Sequence, residues 1–254
     1  MSKIFVSIPV LGKPCLQMIY NLYQAILSCR EHQVRVYWNS NDSLIQRVRN
    51  CHISDFLFKY TECDFFMSLD SDIEVLNCYP NNNIFNKLLA HNEEFVGGLY
   101  ALKKQEARRC SSIGINGITP QFDTGLQEMR WLSSGCWCLK RSMVEKMYER
   151  YKDELMYDGD DNFSGKKILG IYNCLMYDLK QDDFPDIKLP YRKLLSEDWS
   201  LCQRWNDMGG KIYADTSIAL RHIGEYSYSL YDLEVKKVPA TMPPQPGFEL
   251  GEKK

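Results

Sequence analysis

The sequence predicts an α/β protein in which a mainly parallel β-sheet is flanked by helices within a single domain. Strand and helix patterns alternate through residues 3–72. The continuous apolar run Phe65–Leu69 is typical of a strand that is buried on both faces. Two carboxylates, Asp70 and Asp72, follow where that strand should end. Ligands of open α/β sheets bind beyond the carboxyl ends of the strands, so a functional site is expected there.

The first part of the chain has the order strand, helix, strand, helix, strand. Residues 3–10 predict the first strand, and 15–29 predict a helix with one apolar face. A second strand at 34–38 and a second helix at about 43–59 lead into the strand at 65–69. This order is typical of a doubly wound nucleotide-binding half.

The rest of the chain is less regular. The predicted elements are a helix at 81–90, a strand at 94–99, a strand at 131–139 interrupted at Gly135, a helix at 142–151, a helix from Ser196 to the glycines at 209–210, and strands at 211–214 and 218–221. Gly97 and Gly98 within a strand indicate close approach of another backbone or of a ligand. Residues 108–126 resemble a loop, and 151–195 could be a mobile loop that orders over a substrate.

These elements define one domain over 1–235, with a nucleotide-binding half at about 1–100 and an acceptor half at about 101–235. The segment 236–254 becomes basic and then proline-rich, and we expect an arm or a disordered tail there.

Composition excludes several classes of protein. The net charge is −2 and charges of both signs are interspersed, which is not the pattern of a nucleic-acid binder. The ten cysteines are scattered without a Cys-x-x-Cys pair, so they are expected to be reduced, mostly buried residues of a cytoplasmic protein. No secretory signal is recognisable at the start. No apolar stretch approaches the ~20 residues of a membrane span.

Asp70 and Asp72 are the candidate metal ligands. Two hard oxygen ligands suit Mg²⁺ or Mn²⁺ that carries a diphosphate. The alternative is a loop that is acidic without a ligand, as we expect for the second Asp-x-Asp pattern at 158–160, which lies in a polar stretch. A lone histidine is usually structural, but His222 follows an apolar run and could supply a third ligand.

Three basic residues near these carboxylates in sequence differ in their expected partners. Arg47 shares a helix face with Asn50 and should lie near the core-facing stripe, where an unpaired charge is costly. A bound diphosphate or an acidic neighbour would account equally well for Arg47. Arg49 lies about 200° around the same helix and is expected to be an exposed or paired surface residue. Lys103, at a strand end, could meet a phosphate or be solvated.

Glu197 and Asp198 fall in the first turn of the helix that begins after Ser196. Both could simply complement the helix dipole. However, Asp198 also begins an i, i+3, i+4, i+7 stripe with Leu201, Cys202 and Trp205, which should face inward. An inward carboxylate at a helix start is a candidate general base or ligand of a substrate hydroxyl.

Taken together, these residues resemble the GT-A-fold glycosyltransferases, whose fold is Rossmann-like. The resemblance is strongest to the small soluble enzymes of large DNA viruses, phages and bacteria, and it covers about residues 3–230. It is carried by six ordered blocks, which are 7–9 (SIP), 41–50 (NDSLIQRVRN), 70–72 (DSD), 95–100 (FVGGLY), 196–205 (SEDWSLCQRW) and 221–224 (RHIG).

The resemblance implies roles for these residues. Asp72 and His222 would bind the metal, Mn²⁺ or Mg²⁺, and Asp70 would contact the metal or the ribose. Asp198 would face the acceptor. The implied nucleotide-sugar site comprises Pro9, Arg47, Asn50, Asp70, Ser71 and Lys103.

The expected function is metal-dependent transfer of a sugar from a nucleotide-sugar donor, with a UDP-sugar favoured over a GDP-sugar, to a hydroxyl of a glycan or another acceptor. If transfer inverts the anomeric centre, Asp198 would deprotonate the acceptor hydroxyl. If transfer retains it, no protein base is required. The sequence predicts neither a nucleic-acid partner nor a membrane span, and it leaves the oligomeric state open. The expected location is the cytoplasm, which would be the host cytoplasm if the protein is viral.

Two alternatives stay open. A nucleotidyltransferase could use the same sheet and carboxylates, but it normally has a glycine-rich basic loop after the first strand, where this chain offers only Gly12 and Lys13. A non-catalytic carbohydrate- or nucleotide-binding module would tolerate the loss of Asp198 and of the metal.

Overall fold

The computed structural model describes residues 1–40, 42–104, 110–122, 124–160, 163–230 and 236–237. The predicted proline-rich tail lies outside the described residues, apart from the backbone of 236–237, and so does Asn41 of the 41–50 block.

Three parallel strands joined by two helices form the amino-terminal part of the fold, as predicted. They are β1 (Ser2–Val10), α1 (Leu16–Ser28), β2 (His32–Ser40), α2 (Ile45–Phe58) and β3 (Phe65–Leu69). Strand β1 lies between β2 and β3. Its residues from Ile4 to Val10 are buried, which is the reason for its nearly unbroken apolar sequence.

The remaining helices are α3 (Ile84–Ala90), α4 (Arg141–Leu155) and α5 (Glu197–Asp207). The remaining strands are β4 (Ile73–Val75), β5 (Cys78–Tyr79), β6 (Asn82–Asn83), β7 (Phe95–Gly98), β8 (Ile113–Gly114), β9 (Leu126–Trp131), β10 (Cys136–Lys140), β11 (Met156–Asp158), β12 (Lys167–Leu169), β13 (Leu175–Asp178), β14 (Arg192–Leu195), β15 (Ile212–Asp215), β16 (Leu220–Ile223), β17 (Tyr226–Ser229) and β18 (Lys236–Lys237). A 3₁₀ turn occupies Ile115–Gly117.

One eight-stranded sheet forms the centre, with strand order β2-β1-β3-β10-β7-β15-β9-β8. Strands β10 and β9 run antiparallel to their neighbours, so the sheet is mixed but mostly parallel. Strands from both predicted halves alternate in this sheet, since β10 lies between β3 and β7.

Helices cover both faces of the large sheet. Helices α1 and α3 pack on one face, through residues such as Met18 and Phe85. Helices α2, α4 and α5 pack on the other face, through residues such as Phe56, Met147 and Trp205. The predicted fold class, an α/β single domain with a mainly parallel sheet between helices, is confirmed.

A second, antiparallel sheet has the order β18-β17-β16-β4. Strand β4 follows β3 after only the three residues 70–72, so the chain passes directly from the large sheet into the small one. In the pairing of β4 with β16, His222 lies opposite Ile73. The small sheet therefore brings His222 beside the end of β3, across about 150 residues of sequence.

Two predictions of secondary structure were wrong. The interrupted strand at 131–139 is the end of β9, a turn through Gly135, and then β10, which occupies a different position in the sheet. The segment 151–195 is not an unstructured loop. It extends α4 to Leu155 and forms two hairpins, β11–β12 and β13–β14, because residues such as Ile168, Tyr172 and Leu195 are buried.

The close approach expected at Gly97 is that of a backbone. A Cβ atom at Gly97 would lie 2.5 Å from the carbonyl oxygen of Cys136 and 2.8 Å from Cβ of Trp137, both in β10. A side chain at this position would push β7 and β10 apart.

Within the described ranges, no helix combines the length and the apolar character that crossing a membrane requires.

Candidate active site

The turn after β3 orients two carboxylates in different directions. The Asp70 N–H donates to the carbonyl of Gly135 (3.0 Å), and the Ile73 N–H donates to the carbonyl of Asp70 (3.0 Å). The Cys15 N–H donates to the carbonyl of Ser71 (2.9 Å), which ties the turn to the start of α1. One internal backbone bond and two bonds to other segments therefore fix the turn. Its side chains are free to bond other groups.

Asp72 lies between a lysine and a histidine. Its Oδ2 accepts from Nζ of Lys103 at 2.5 Å and lies 3.3 Å from Nε2 of His222. Burial raises the pKa of Asp72, but the hydrogen bonds from His222 and Lys103 outweigh that effect and lower it to about 2. Asp72 is therefore expected to be ionised beside Lys103 and His222.

His222 is oriented as a metal ligand would be. Its Nδ1 lies 2.9 Å from the carbonyl oxygen of Ala101, and the ring meets the edge of Tyr100 with centroids 5.3 Å apart. A carbonyl only accepts, so we assign a proton to Nδ1. Nε2 then donates to Asp72 when the ring carries both protons, whereas in the neutral ring its lone pair faces Asp72 and is free to bind a metal ion. Metal-binding histidines are commonly held in this way by a backbone carbonyl.

The predicted three-ligand metal site comes together only in part. Among the described residues, no group of three or more His, Cys, Asp or Glu side chains is arranged to hold an ion. Two ligands of one Mn²⁺ or Mg²⁺ lie about 3 Å apart, since each metal–ligand bond is about 2.1 Å, and Asp72 and His222 meet that condition at 3.3 Å. Two protein ligands suffice where phosphate oxygens and water complete the shell. Asp72 and His222 therefore fit a divalent ion, whereas Oδ1 of Asp70 pairs with Arg49.

Asp70 pairs with Arg49. Arg49 was expected to be a surface residue. Nη2 of Arg49 donates to Oδ1 of Asp70 at 2.8 Å, and Nη1 donates to Oγ of Ser68 at 3.2 Å. Nε of the same guanidinium lies 3.5 Å from Oε1 of Glu197 in the first turn of α5. The Arg49 side chain is only 5% exposed. It is the charge that joins β3, α2 and α5.

The expectation for Arg49 failed because α2 is covered on all sides. All ten residues from Val48 to Leu57 are buried, since the segments around β12 and Tyr172 cover the face of α2 that a simple amphipathic helix would expose. Val48, Ile53 and Phe56 lie within about 140° of one another around the helix, so the sequence of α2 alone does not distinguish a buried helix from an amphipathic one.

The neighbouring predicted residues of α2 have other partners. Arg47 is half-buried and pairs with Asp42, with Nε 2.7 Å from Oδ2, so the alternative of an acidic neighbour is what the structure contains. Asn50 is fully buried. Its Nδ2 donates to Asn173 (2.9 Å), and its Oδ1 accepts from the N–H of Tyr172 (2.8 Å). Asn50 therefore fastens α2 to the segment after β12, and its contact with the nucleotide sugar stays a prediction.

Asp198 lies where the stripe of α5 predicts. Leu201, Cys202 and Trp205 are buried, and Asp198 is half-buried at the start of the stripe. Its Oδ1 accepts from the N–H of Trp199 at 2.8 Å and from the hydroxyl of Ser196. Ser196 is the N-cap residue, but it bonds Asp198 and does not cap the helix with its side chain.

The Asp198 side chain is also held from the sheet side. Its Oδ2 lies 3.4 Å from the N–H of Ser134, in the turn between β9 and β10. In the same turn the N–H of Gly135 donates to the hydroxyl of Tyr100 at 3.1 Å. The turn therefore joins Asp198 to the residues around His222.

The carboxylates form one cluster at the carboxyl end of β3. Burial raises the pKa of Asp70, Arg49 lowers it, and Asp72 and Asp198 raise it further, so all of these charges lie close to Asp70. Burial likewise raises the pKa of Glu197, against the lowering effect of Arg49.

The cluster is formally acidic. Among the residues that the structure describes, the four carboxylates Asp70, Asp72, Glu197 and Asp198 face two cations, Arg49 and Lys103, which leaves a formal charge of −2 with His222 neutral. Such an excess favours the binding of a divalent cation.

Two other predicted residues lie at the ends of β1 and β3. Pro9 is buried near the carboxyl end of β1, and Ser71 is half-buried in the turn itself. Asp158 and Asp160 are exposed, as expected for the second Asp-x-Asp pattern. Asp158 pairs with Lys167, and Oδ1 of Asp160 lies 3.5 Å from Nη1 of Arg47. Sequence reasoning missed Arg49 and Glu197 as members of the site.

Comparison with known proteins supports the fold. No family model and no curated protein matches the sequence. Among solved structures, A197 from STIV aligns over 96% of this chain and 98% of its own, with a TM-score of 0.57 and 18% identity. At that identity the likeness shows a shared fold.

Weaker structural matches include glycosyltransferases. One is involved in glycosylation of the major capsid of PBCV-1 and aligns over 59% of this chain and 67% of its own, with a TM-score of 0.32 and 13% identity. Another is GalNAc-T7, solved with UDP, GalNAc and Mn²⁺, which aligns over 88% of this chain and 43% of its own, with a TM-score of 0.42 and 11% identity. These scores are too low to carry an argument about function, which has to come from the site.

Proposed function

We propose that this protein is a glycosyltransferase that uses a divalent cation, Mn²⁺ or Mg²⁺, to move a sugar from a nucleotide sugar to a hydroxyl of a glycan or another acceptor. The observation that carries the proposal is the pair Asp72 and His222. The Nδ1 atom of His222 is anchored on a carbonyl, while Nε2 faces the Asp72 carboxylate. A half-buried carboxylate, Asp198, borders the same cluster.

The charges support a diphosphate-bearing donor. Four carboxylates would repel a diphosphate unless a metal ion lay between them, and Asp72 and His222 are the residues proposed to hold it. Lys103, whose ammonium donates to Asp72, is proposed to contact the donor phosphates. Pro9, Ser71 and Arg47 are proposed to complete the donor site. A UDP-sugar is the favoured donor.

The chemistry is loss of a nucleoside diphosphate from the anomeric carbon. When bound, the ion would neutralise charge on that leaving group. Asp198 is held in place by the N–H groups of Trp199 and Ser134. In an inverting transfer Asp198 would accept the proton of the attacking hydroxyl, and the anomer of the product decides whether this role applies.

Thermal unfolding with UDP, GDP, CDP and ADP, each with and without Mn²⁺, tests the proposal. A ligand at about 100 times its dissociation constant stabilises by about 2.7 kcal/mol, which raises the midpoint of a domain of this size by roughly 5–10 °C. We expect a UDP shift that requires Mn²⁺ and is lost in Asp72→Asn and His222→Gln. Asp158→Asn, in the exposed second Asp-x-Asp pattern, is the matched control and should keep the shift.

The products separate the proposed function from its alternatives. A glycosyltransferase releases UDP, whereas a nucleotidyltransferase releases pyrophosphate from a nucleoside triphosphate and a sugar phosphate. A binding module would show the UDP shift without turnover. If no nucleotide shifts the midpoint, with or without metal, the proposed function is wrong.

A further inference from the structure

A pocket of about 390 Å³ opens between the segments 113–117 and 179–193. We call it the aromatic pocket, and the residues that matter in it are Asn116, Trp131, Phe184, Asp186, Tyr191 and Lys193. Its volume falls within the range of small-molecule sites. One of its walls belongs to the segment 151–195, which was expected to be a loop.

The aromatic pocket has a firmly held wall. Arg130 in β9 forms a two-pronged bond to Asp183, with distances of 3.0 and 2.7 Å, and also donates to the hydroxyl of Tyr177 at 3.0 Å. These bonds join the segment after β13 to the large sheet. Phe184 is buried against Trp131, with ring centroids 5.2 Å apart. The wall is therefore preformed, which lowers the entropy cost of binding.

The opposite wall leaves room over Phe184. Gly117 has φ +75°, and a Cβ atom there would lie 3.1 Å from Cδ1 of Phe184. A side chain at Gly117 would be strained and would crowd the ring, so glycine keeps this part of the pocket open.

The aromatic pocket lies close to the proposed catalytic residue, Asp198. The indole of Trp131 stacks on that of Trp199, with centroids 4.7 Å apart and planes 24° from parallel. Trp199 follows Asp198 directly and donates its N–H to that carboxylate. Nζ of Lys193 lies over the Trp199 ring, 4.8 Å from its centroid. One pair of stacked rings thus separates the pocket from Asp198.

We propose that the aromatic pocket binds a sugar ring of the acceptor, so that the acceptor is a carbohydrate. This inference rests on the proposed function. A sugar ring presents an apolar C–H face, which packs on the electron-rich faces of aromatic side chains. It also carries hydroxyls around its edge, which need both donors and acceptors, and Asn116, Asp186 and Lys193 supply both. A lipid chain would leave these three polar groups without partners.

Binding of methyl glycosides tests the inference. A panel of methyl α- and β-hexosides and N-acetylhexosaminides is titrated, in the presence of UDP and Mn²⁺, and followed by saturation-transfer NMR. Tyr191 is 50% exposed, so Tyr191→Ala should fold normally. We expect at least one glycoside to bind the wild-type protein and to bind Tyr191→Ala about tenfold more weakly, the value of one aromatic contact. Lys193→Met should also weaken it.

Leu194→Ala is the matched control, because Leu194 is 63% exposed and points to the opposite side of β14 from Lys193. It should bind the glycoside as the wild-type protein does. If no glycoside binds, or if one binds Tyr191→Ala and Lys193→Met with wild-type affinity, the inference is overturned. The UDP shift is measured on the same samples. Its loss in the wild-type protein defeats the proposed function, whereas its persistence without glycoside binding defeats only the assignment of the pocket.

Discussion

Replacing Arg49 by methionine removes the guanidinium that faces Asp70 and Glu197. Breaking a buried ion pair by deleting one partner typically costs 3–5 kcal/mol, because the other charge is left without compensation. Here the remaining carboxylates are partly solvated, with 23% and 18% of their side chains exposed. We therefore expect the lower end, about 3 kcal/mol. For a domain of this size that lowers the unfolding midpoint by roughly 6–12 °C.

Calorimetry and urea unfolding of three further variants make this a test of the buried pair. Arg35→Met removes an arginine that is 53% exposed and pairs with Glu62 at 3.0 Å, so its free energy of unfolding should change by no more than about 0.5 kcal/mol. Arg49→Lys keeps the charge but loses the fork, and should fall between wild type and Arg49→Met. Adding Glu197→Gln to Arg49→Met should recover part of the loss. Equal midpoints for Arg49→Met and Arg35→Met would refute the reasoning.

Three other outcomes follow from the structure. Burial lowers the pKa of His52 from 6.5 to about 3, so the folded protein binds one proton fewer between those values. The free energy of unfolding should fall by up to about 1.4 kcal/mol per pH unit below pH 6.5, and pH-dependent urea unfolding of His52→Asn should lack that contribution. Gly97→Ala would place Cβ 2.5 Å from the Cys136 carbonyl oxygen and should lower the free energy of unfolding by about 1–3 kcal/mol or more. Gly224→Ala is the control, because the nearest atom to its Cβ would lie at 3.4 Å. Thermal unfolding midpoints of the two variants test the difference. Asp198→Asn should keep the UDP shift and, in an inverting transfer, lower kcat by about 10²–10⁴-fold in a UDP-release assay; an unchanged kcat would remove Asp198 from the reaction.

The predictions that succeeded rest on local patterns. The strand Phe65–Leu69 and the turn after it could be predicted because an apolar run and the carboxylates that end it are adjacent in sequence. The inward stripe of α5 could be predicted because helix periodicity fixes which residues share a face. The meeting of His222 with Asp72 needed the resemblance as well, since sheet pairing between distant segments leaves little local trace.

The failures have a common physical cause, which is cover from distant parts of the chain. Arg49 is buried because the segments around β12 and Tyr172 cover α2, and those segments have no periodicity that predicts where they pack. The segment 131–139 reads as one strand, but the turn at Gly135 sends its two parts to different positions in the sheet. Neither arrangement is encoded within the window of residues that it affects.

The junction of the two sheets makes the proposed metal site depend on strand register. His222 reaches Asp72 only while β16 keeps its present alignment on β4, which the bond from the Ile223 N–H to the Asp72 carbonyl fixes at 2.8 Å. A slip of one residue would reverse the faces of β16 and bring Arg221 or Ile223 to the place of the imidazole. A cation or an aliphatic chain there binds no metal. Insertions or deletions between β15 and β16 that shift this register are therefore predicted to abolish binding of Mn²⁺ at the proposed site.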